Sequence, residues 1–221
     1  NIYNIDAIKS IFRVKGRPST NPLIVHTYSL EKALHLFDFS EMNNIKDTIM
    51  KIGFEFWPGP LTIVYKANPN ISDIVTSSSG YVGVRIPNNE LALQLLKTAD
   101  VPIAAPSANK SGHISPTDVT HVYNEFKDDE VTILDGGDIR TFNNGIGIES
   151  TIIKLDTGKI TILRSGGISY NDLDNFIKKE GLPFKLEIIK KMSDLKKGEI
   201  APGQAITHYA PKNIKTVMIK T

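Results

Sequence analysis

A short apolar run that ends in a polar loop constrains the fold more than any other stretch of the chain. Residues 101–105 are apolar and predict a buried strand, and Pro106 ends it because proline has no backbone N–H for a sheet ladder. The loop that follows carries small hydroxyl and amide side chains, at Ser107, Asn109 and Ser111. Ser115 and Pro116 then predict a helix start, as cap and first helical residue. Such an arrangement favours an α/β sheet with a ligand at the strand end, although a plain turn uses the same residue types.

Hydrophobic periodicity predicts the other elements. Helices are expected at residues 4–14, from Ser29, at about 45–56, at about 90–99, and from Ser169. Strands are expected at 22–26, 61–65, 81–87, 131–134, 148–153 and 160–163. Residues 67–80 are polar and turn-rich, which predicts a mobile surface loop.

Composition excludes several classes of function. The chain has no cysteine, so it has no disulfide, thiolate nucleophile or cysteine-based zinc site. Its 26 basic and 24 acidic residues leave a net charge of +2, which gives no bulk-charge signal for nucleic-acid binding. Walker, dinucleotide-binding, zinc-protease and serine-hydrolase motifs are absent, as is any apolar run long enough to span a membrane. A cytoplasmic location is expected.

Scattered cations and hydroxyls remain as the candidate chemistry, at Lys15, Arg17, Arg85, Arg164, Ser107, Asn109, Ser150 and Thr151. If the sheet gathers them, they form a site for a triphosphate, where charge neutralisation and positioning do most of the catalytic work. If it does not, they are unrelated surface cations. Arg85 lies inside an apolar run and needs an anionic partner, either a structural carboxylate or a ligand. His26 ends a predicted strand, where a lone histidine is more often structural.

Several segments together resemble the YrdC-like domain of threonylcarbamoyl-AMP synthases in their longer, two-domain form. The matching segments are Lys15-Gly16-Arg17-Pro18, residues 21–26, Trp57-Pro58-Gly59-Pro60-Leu61-Thr62, Val84-Arg85-Ile86-Pro87, residues 102–109, Asp135-Gly136-Gly137, residues 149–153, and Arg164. The resemblance implies an α/β fold: a twisted mixed sheet with flanking helices and a large concave, positively lined face. Residues 1–189 would form the catalytic domain, 190–213 the interdomain linker with its His208-Tyr209-Ala210-Pro211 motif, and 214–221 the start of a C-terminal domain.

The activity that the resemblance implies is formation of threonylcarbamoyl-AMP and pyrophosphate from ATP, L-threonine and bicarbonate. Mg²⁺ would accompany ATP, with no tightly bound cofactor and no metal held by the protein itself. The product would pass to the threonylcarbamoyl transferase machinery that modifies tRNA, and weak RNA binding is an additional expectation. No membrane partner is expected.

Residue roles carry over by the same resemblance. The catalytic cations would be Lys15 and Arg17. The ATP-binding residues would be Lys15, Arg17, Asn21, Ser107, Asn109, Arg164 and Tyr209. The threonine-binding residues would be His26, Thr62, Arg85 and Ser150.

Two departures from the family pattern affect these expectations. The threonine-binding segment Thr-Glu-Thr-Val-Tyr-Gly-Leu, which precedes the first helix in the family, does not occur in this sequence, so we expect an incomplete threonine site. Ser165 stands where the family usually has proline, which loosens the turn but leaves Arg164 available.

Three alternatives stay open. One is an RNA-binding module that uses the same face, which the near-neutral charge disfavours. Another is the related carbamoyl-adenylating domain of hydrogenase maturation, which carries cysteine-rich zinc segments that this chain lacks. The third is a regulatory nucleotide-binding domain without synthase activity.

Overall fold

The structure is a computed structural model that describes residues 1–41, 43–137 and 149–189. The described helices are α1 (Ile5–Lys15), α2 (Leu30–Leu34), α3 (Asn43–Phe56), α4 (Asp73–Thr76), α5 (Glu90–Ala99), α6 (Val119–Phe126) and α7 (Tyr170–Lys179). The strands are β1 (Ile24–His26), β2 (Leu61–Lys66), β3 (Tyr81–Arg85), β4 (Ile103–Ala104), β5 (Thr151–Asp156), β6 (Lys159–Arg164) and β7 (Lys185–Ile188).

The strands form one mixed sheet of seven in the order β4-β1-β3-β2-β5-β6-β7. Parallel pairs join β1 to β3, β2 to β5, and β6 to β7. Antiparallel pairs join β1 to β4, β2 to β3, and β5 to β6. The predicted α/β fold, a mixed sheet with flanking helices, is confirmed.

The main core lies between one face of this sheet and the helices that pack on it. Apolar side chains alternate along β1 and β3, so Val25, Val82 and Val84 point into this core. Helices α1, α3 and α7 meet them with residues spaced for one helix face, such as Ile8, Ile49 and Phe176. The opposite face holds a smaller apolar cluster, built on Val64, Ile152 and Leu163. That second face is the one left for polar and charged side chains.

Strand directions gather several polar residues at one edge of the sheet. His26 and Arg85 end the parallel strands β1 and β3 and lie side by side in register. Thr62 lies near the start of β2, which is antiparallel to β3, and Ser150 directly precedes β5. Arg164 ends β6, which is antiparallel to β5. Arg85 and Ser150 were predicted inside strands, and this prediction is wrong, because both lie at strand ends.

The helix predicted from Ser115 begins later than expected. Asp118 is the N-cap of α6, and its carboxylate accepts hydrogen bonds from the backbone N–H groups of Thr120 and His121. Ser115 instead donates its hydroxyl to Glu149. The surface loop predicted at 67–80 contains α4, whose Val75 is fully buried.

Two strand predictions are corrected by the sheet. Residues 131–134 form no strand, because they pair with none of the described strands. Val131 and Leu134 are exposed. The run at 101–105 was expected to be a buried strand, but it yields only the two-residue edge strand β4. Across the described parts of the chain, none of the helices combines the length and apolarity needed to cross a bilayer.

Candidate active site

Lys15 is a buried cation of the candidate site. It ends α1, which Asn4 caps at its start and Gly16 closes in the left-handed conformation with φ +57°. The lysine side chain crosses to the loop after β4, where its ammonium donates to the backbone carbonyls of Ser107, at 2.5 Å, and Asn109. Lys15 is only 7% exposed, so these carbonyls replace the water that the charge would otherwise bind.

Burial also sets the charge state of this lysine. Burial, together with the positive charge of Arg17, lowers the pKa of Lys15 to about 8. Glu125 and Glu149 oppose this effect, since a negative charge nearby raises the pKa of an ammonium group. Lys15 is therefore mainly protonated at neutral pH, but it loses its proton far more readily than an exposed lysine.

Arg17 is held in place by the residues that lead into β1. Its guanidinium donates to the Asn21 carbonyl at 3.1 Å, the Asn21 side-chain oxygen at 2.8 Å and the Pro22 carbonyl at 2.7 Å. Burial lowers the pKa of Arg17 to about 10, so it stays charged at neutral pH. Asn21, predicted to contact ATP, is thus a partner of Arg17 in this structure.

The loop that receives Lys15, residues 107–113, is tied together from within. The Asn109 side-chain amide donates to the carbonyls of Lys110, at 2.8 Å, and His113, at 2.9 Å. The Ser111 N–H donates to the Lys15 carbonyl at 2.8 Å, so α1 and the loop also meet through their backbones. Asn109 is 3% exposed, and its contacts shape the loop around the lysine.

A second group of contacts lies at the sheet edge. The hydroxyls of Thr62 and Ser150 are 2.9 Å apart. Arg164 donates to the Ser150 carbonyl at 2.8 and 3.1 Å and to the Ser150 hydroxyl at 3.0 Å. Thr62 and Ser150 are almost fully buried, which fixes their orientation. Thr151 turns away from the edge, because its hydroxyl bonds the backbone of Ile168.

Glu149 connects the two groups, and the sequence reasoning did not single it out as a site residue. Its carboxylate lies 3.6 Å from the Arg164 guanidinium and accepts a hydrogen bond from Ser115 at 2.9 Å. It also acts electrostatically on Lys15 and Arg85. The sequence did contain a signal for Glu149, because it is an acidic residue next to Ser150 and the predicted site otherwise contains four cations. The structure therefore brings Lys15, through Glu149, into one electrostatic cluster with Arg164.

Arg85 and His26 occupy neighbouring positions of this edge. The Arg85 guanidinium donates to the Gly59 carbonyl at 3.0 Å, and within the described ranges no carboxylate lies within ion-pair distance of it. Burial, with the charge of Arg85, lowers the pKa of His26 to about 3, so the imidazole is neutral. Its buried Nδ1 finds no hydrogen-bond partner among the residues that the structure describes. Both side chains thus retain capacity for a polar ligand.

A cavity of about 570 Å³ lies on the loop side of the cluster. Its lining includes Asn109, His113, Ser115, His121 and Glu125. The volume is within the range of small-molecule sites. Ser115, which sequence reasoning placed only as a helix cap, thus lies between this cavity and Glu149. Tyr209, predicted to contact ATP, lies outside the described residues, as do the predicted linker and the segment after it.

The chain is similar to known proteins over most of its length. A family model for Sua5, YciO and YrdC proteins, described as "Telomere recombination", matches residues 1–166. A threonylcarbamoyl-AMP synthase of Bacillus subtilis is 37% identical over 219 residues, covering 96% of this chain and 57% of the relative. A threonylcarbamoyl-AMP synthase of Schizosaccharomyces pombe is 37% identical over 227 residues, covering 93% of this chain and 54% of the relative.

The structural comparison agrees. The crystal structure of Pyrococcus abyssi Sua5 complexed with L-threonine superposes with a TM-score of 0.81 at 37% identity, covering 96% of this chain and 58% of that one. The chain therefore spans a little over half the length of these relatives.

Proposed function

The chain belongs to the Sua5/YciO/YrdC family, and we propose that it carries the adenylating site of an L-threonylcarbamoyladenylate synthase. The substrates would be ATP, L-threonine and bicarbonate, and the products threonylcarbamoyl-AMP and pyrophosphate. The observation that supports this best is the buried ammonium of Lys15, held on two carbonyls, in one electrostatic cluster with Arg17 and Glu149. Preorganised cations of this kind suit a triphosphate.

The phosphate side of the proposed site is formed by Lys15 and Arg17, with Ser107 and Asn109 on the loop and Arg164 at the sheet edge. The two cations would stabilise charge on phosphate oxygens, because each is already fixed by protein carbonyls and need not reorganise during reaction. The cavity beside Asn109 and Ser115 supports binding of the nucleotide against the loop. No protein nucleophile is required.

The amino-acid side is formed by His26, Thr62, Arg85 and Ser150. A neutral His26 accepts or donates a hydrogen bond without adding a second charge beside Arg85, and Arg85 can pair with a carboxylate of the ligand. The threonine amine and bicarbonate would form a carbamate with loss of water. A carbamate oxygen would then attack the α-phosphorus as the bond to the leaving pyrophosphate breaks, so the protein acts by positioning.

Magnesium would enter as part of the substrate. In the described portion of the chain, no group of three or more His, Cys, Asp or Glu side chains could hold a metal ion. We therefore propose that Mg²⁺ is bound mainly through the triphosphate, as is usual for this ion. Use of the product by a tRNA-modifying threonylcarbamoyl transferase, weak RNA binding and a cytoplasmic location are further proposals. So is the division into a catalytic domain at 1–189, a linker at 190–213 and a second domain from 214.

The test is pyrophosphate release from MgATP by the full-length protein. We expect release only when L-threonine and bicarbonate are both supplied, with threonylcarbamoyl-AMP as the nucleotide product. Omission of either one is the control. Release that needs neither, or AMP without the threonylcarbamoyl group, would contradict the proposed reaction, and nucleotide binding without turnover would favour a regulatory domain.

The lowered pKa of Lys15 predicts an unusual pH dependence. Above pH 8 the lysine loses its charge, so we expect ATP affinity to fall as pH rises through about 8. The unfolded lysine keeps its proton up to about 10.5, so between pH 8 and 10.5 the unfolded state binds more protons, and the contribution of Lys15 to stability rises with pH. As pH rises, we therefore expect ATP affinity to fall while the contribution of Lys15 to folding stability rises.

Calorimetric ATP titrations at pH 7, 8 and 9 measure this effect. The Lys15→Met variant is the control, since its weaker binding should lack the decrease near pH 8. A wild-type affinity that stays constant from pH 7 to pH 9 would show that Lys15 keeps its charge or does not bind phosphate.

A further inference from the structure

Glu125 lies behind the loop that receives Lys15, on the side of α6. This helix begins at its Asp118 cap and carries Glu125 in its last turn, one residue before the buried Phe126. The Phe126 ring lies under both lysines of the region, with its centroid 6.0 Å from the ammonium groups of Lys15 and Lys110. Helix α6 is therefore a platform against which the loop and the lysine are packed.

The Glu125 carboxylate holds two points of the 107–113 loop. Its Oε1 accepts a hydrogen bond from the Lys110 N–H at 3.3 Å, and the Nδ1 atom of His113 lies 2.5 Å from the same oxygen. Lys110 and His113 are also the residues whose carbonyls receive the Asn109 side chain. The loop is thus held by hydrogen bonds with one of its own residues, Asn109, and with Glu125 of helix α6.

These contacts affect Lys15 indirectly, through the two loop carbonyls that accept hydrogen bonds from its ammonium. The ammonium binds the carbonyls of Ser107 and Asn109, and the Asn109 N–H donates to the Ser107 carbonyl at 3.0 Å. If the loop shifts, both acceptors move together, because they belong to one hydrogen-bonded turn. Glu125 does not contact Lys15 directly, so any effect it has on the lysine passes through the loop and through its charge.

We propose that Glu125 is a positioning residue, which clamps the 107–113 loop so that Ser107 and Asn109 hold the Lys15 ammonium in place for the nucleotide phosphates. This proposal rests on the proposed function for the identity of the nucleotide. It assigns a role to a residue that neither the motif pattern nor the cation set singles out.

The charge of Glu125 provides a signature that a purely structural residue would lack. Among the residues that the structure describes, the charged groups that act on Lys15 are Arg17, which lowers its pKa, and Glu125 and Glu149, which raise it. Removing the Glu125 charge should therefore lower the pKa of Lys15 below about 8, and the decrease of ATP affinity with pH should begin at a lower pH.

The experiment compares Glu125→Gln and Glu125→Ala in the full-length protein, with Glu130→Ala as the matched control. Glu130 is an exposed acid five residues further on. We expect Glu125→Ala to raise the Kd for ATP about tenfold, since two loop groups lose their acceptor, while the KM for L-threonine changes less than about twofold. Glu125→Gln retains an oxygen acceptor, so its Kd at pH 7 should rise less, but its pH profile should shift to lower pH.

The results separate the two proposals. Unchanged ATP binding in Glu125→Ala, or an equal loss of ATP and threonine affinity with a lowered Tm, would overturn the positioning role. An unshifted pH profile in Glu125→Gln would overturn it as well. A wild-type protein that binds ATP but releases no pyrophosphate with L-threonine and bicarbonate would overturn the proposed reaction alone, because the effect of Glu125 is measured in the binding isotherm.

Discussion

Lys15→Met should reduce kcat/KM for ATP about 100-fold, one of the two largest effects expected from a single substitution in this site. Methionine has nearly the length of lysine and keeps the apolar stem, but it cannot donate to the carbonyls of Ser107 and Asn109. The substitution therefore removes the charge that we propose to bind the phosphates. It also removes the ammonium donor from both carbonyls, although the Ser107 carbonyl still accepts from the Asn109 N–H, and this loss loosens the 107–113 loop.

The stability of this variant should change little. Burial makes the charged lysine costly in the folded state, as its lowered pKa shows, so removing the charge offsets part of the lost hydrogen bonding. We expect Tm to stay within about 4 °C of the wild type, since a change of about 1 kcal/mol shifts Tm by roughly 2–4 °C at this size. A large loss of activity with a small change of Tm would assign Lys15 to function.

Two controls accompany this prediction. Lys9→Met removes an exposed lysine from the same helix and should leave kcat/KM within about twofold of the wild type. Lys15→Arg retains a charge with a different shape, and should recover part of the activity if charge is what the phosphates need. Lys15→Met activity within threefold of the wild type would remove Lys15 from the phosphate site.

The sequence predicts the elements whose signals are local. Helix α7 begins at Ser169 as expected, because Ser169 and Asp172 form a reciprocal capping box within four residues. Helix α1 ends at Lys15, one residue beyond the predicted range of 4–14, because Gly16 supplies the left-handed residue that closes it. In both cases the hydrogen bonds that decide the boundary join residues close in sequence, so no tertiary knowledge is needed.

The failed predictions share a different cause. Ser115 has the residue type and position of a helix cap, but Asp118 caps α6 and the Ser115 hydroxyl is used by Glu149, 34 residues away. The apolar pattern at 131–134 pairs with none of the described strands, and Val131 and Leu134 stay exposed. Such outcomes depend on which distant segment arrives at a position, and a local pattern does not contain that information.

The sequence indicated the cations of the candidate site but not its acids. Lys15, Arg17, Arg85 and Arg164 were candidates because they are cations at or near the ends of predicted elements or, for Arg85, inside an apolar run. Glu149 and Glu125 were not selected, since an isolated acidic residue is ordinary on a protein surface. Their importance follows from long-range contacts, with Arg164 and Ser115 for Glu149 and with the 107–113 loop for Glu125.

Gly166 lies where the turn after β6 passes against the chain that enters β5. A Cβ at Gly166 would lie 2.3 Å from the Glu149 carbonyl oxygen, 2.5 Å from the Ser150 carbonyl carbon and 2.4 Å from the Thr151 nitrogen. All three atoms are backbone, so they cannot swing aside as the end of a flexible side chain can. The turn is also fastened here, because the Gly167 N–H donates to the Glu149 carbonyl at 3.1 Å.

Gly166→Ala should therefore displace the backbone that carries Glu149 and Ser150. Arg164 would move with it, because its guanidinium is bonded to the Ser150 carbonyl and hydroxyl. We expect Tm to fall by about 2–12 °C, from an overpacking cost of roughly 1–3 kcal/mol. We expect kcat/KM to fall roughly 100-fold, since a displacement of about 1 Å at positioning groups can cost that much.

Gly136→Ala is the matched control, because among the described residues a Cβ there meets only the Leu91 side chain, at an ordinary contact distance of 3.7 Å. It should retain wild-type Tm and activity within about 2 °C and twofold. The loss in Gly166→Ala should appear in the KM for L-threonine as well as in kcat, because Ser150 and Thr62 share one hydroxyl contact on the proposed amino-acid side. A Gly166→Ala protein with activity within threefold of the wild type would mean that the Glu149–Ser150 segment can move without harm to the reaction, and that the sheet edge does not position the substrates.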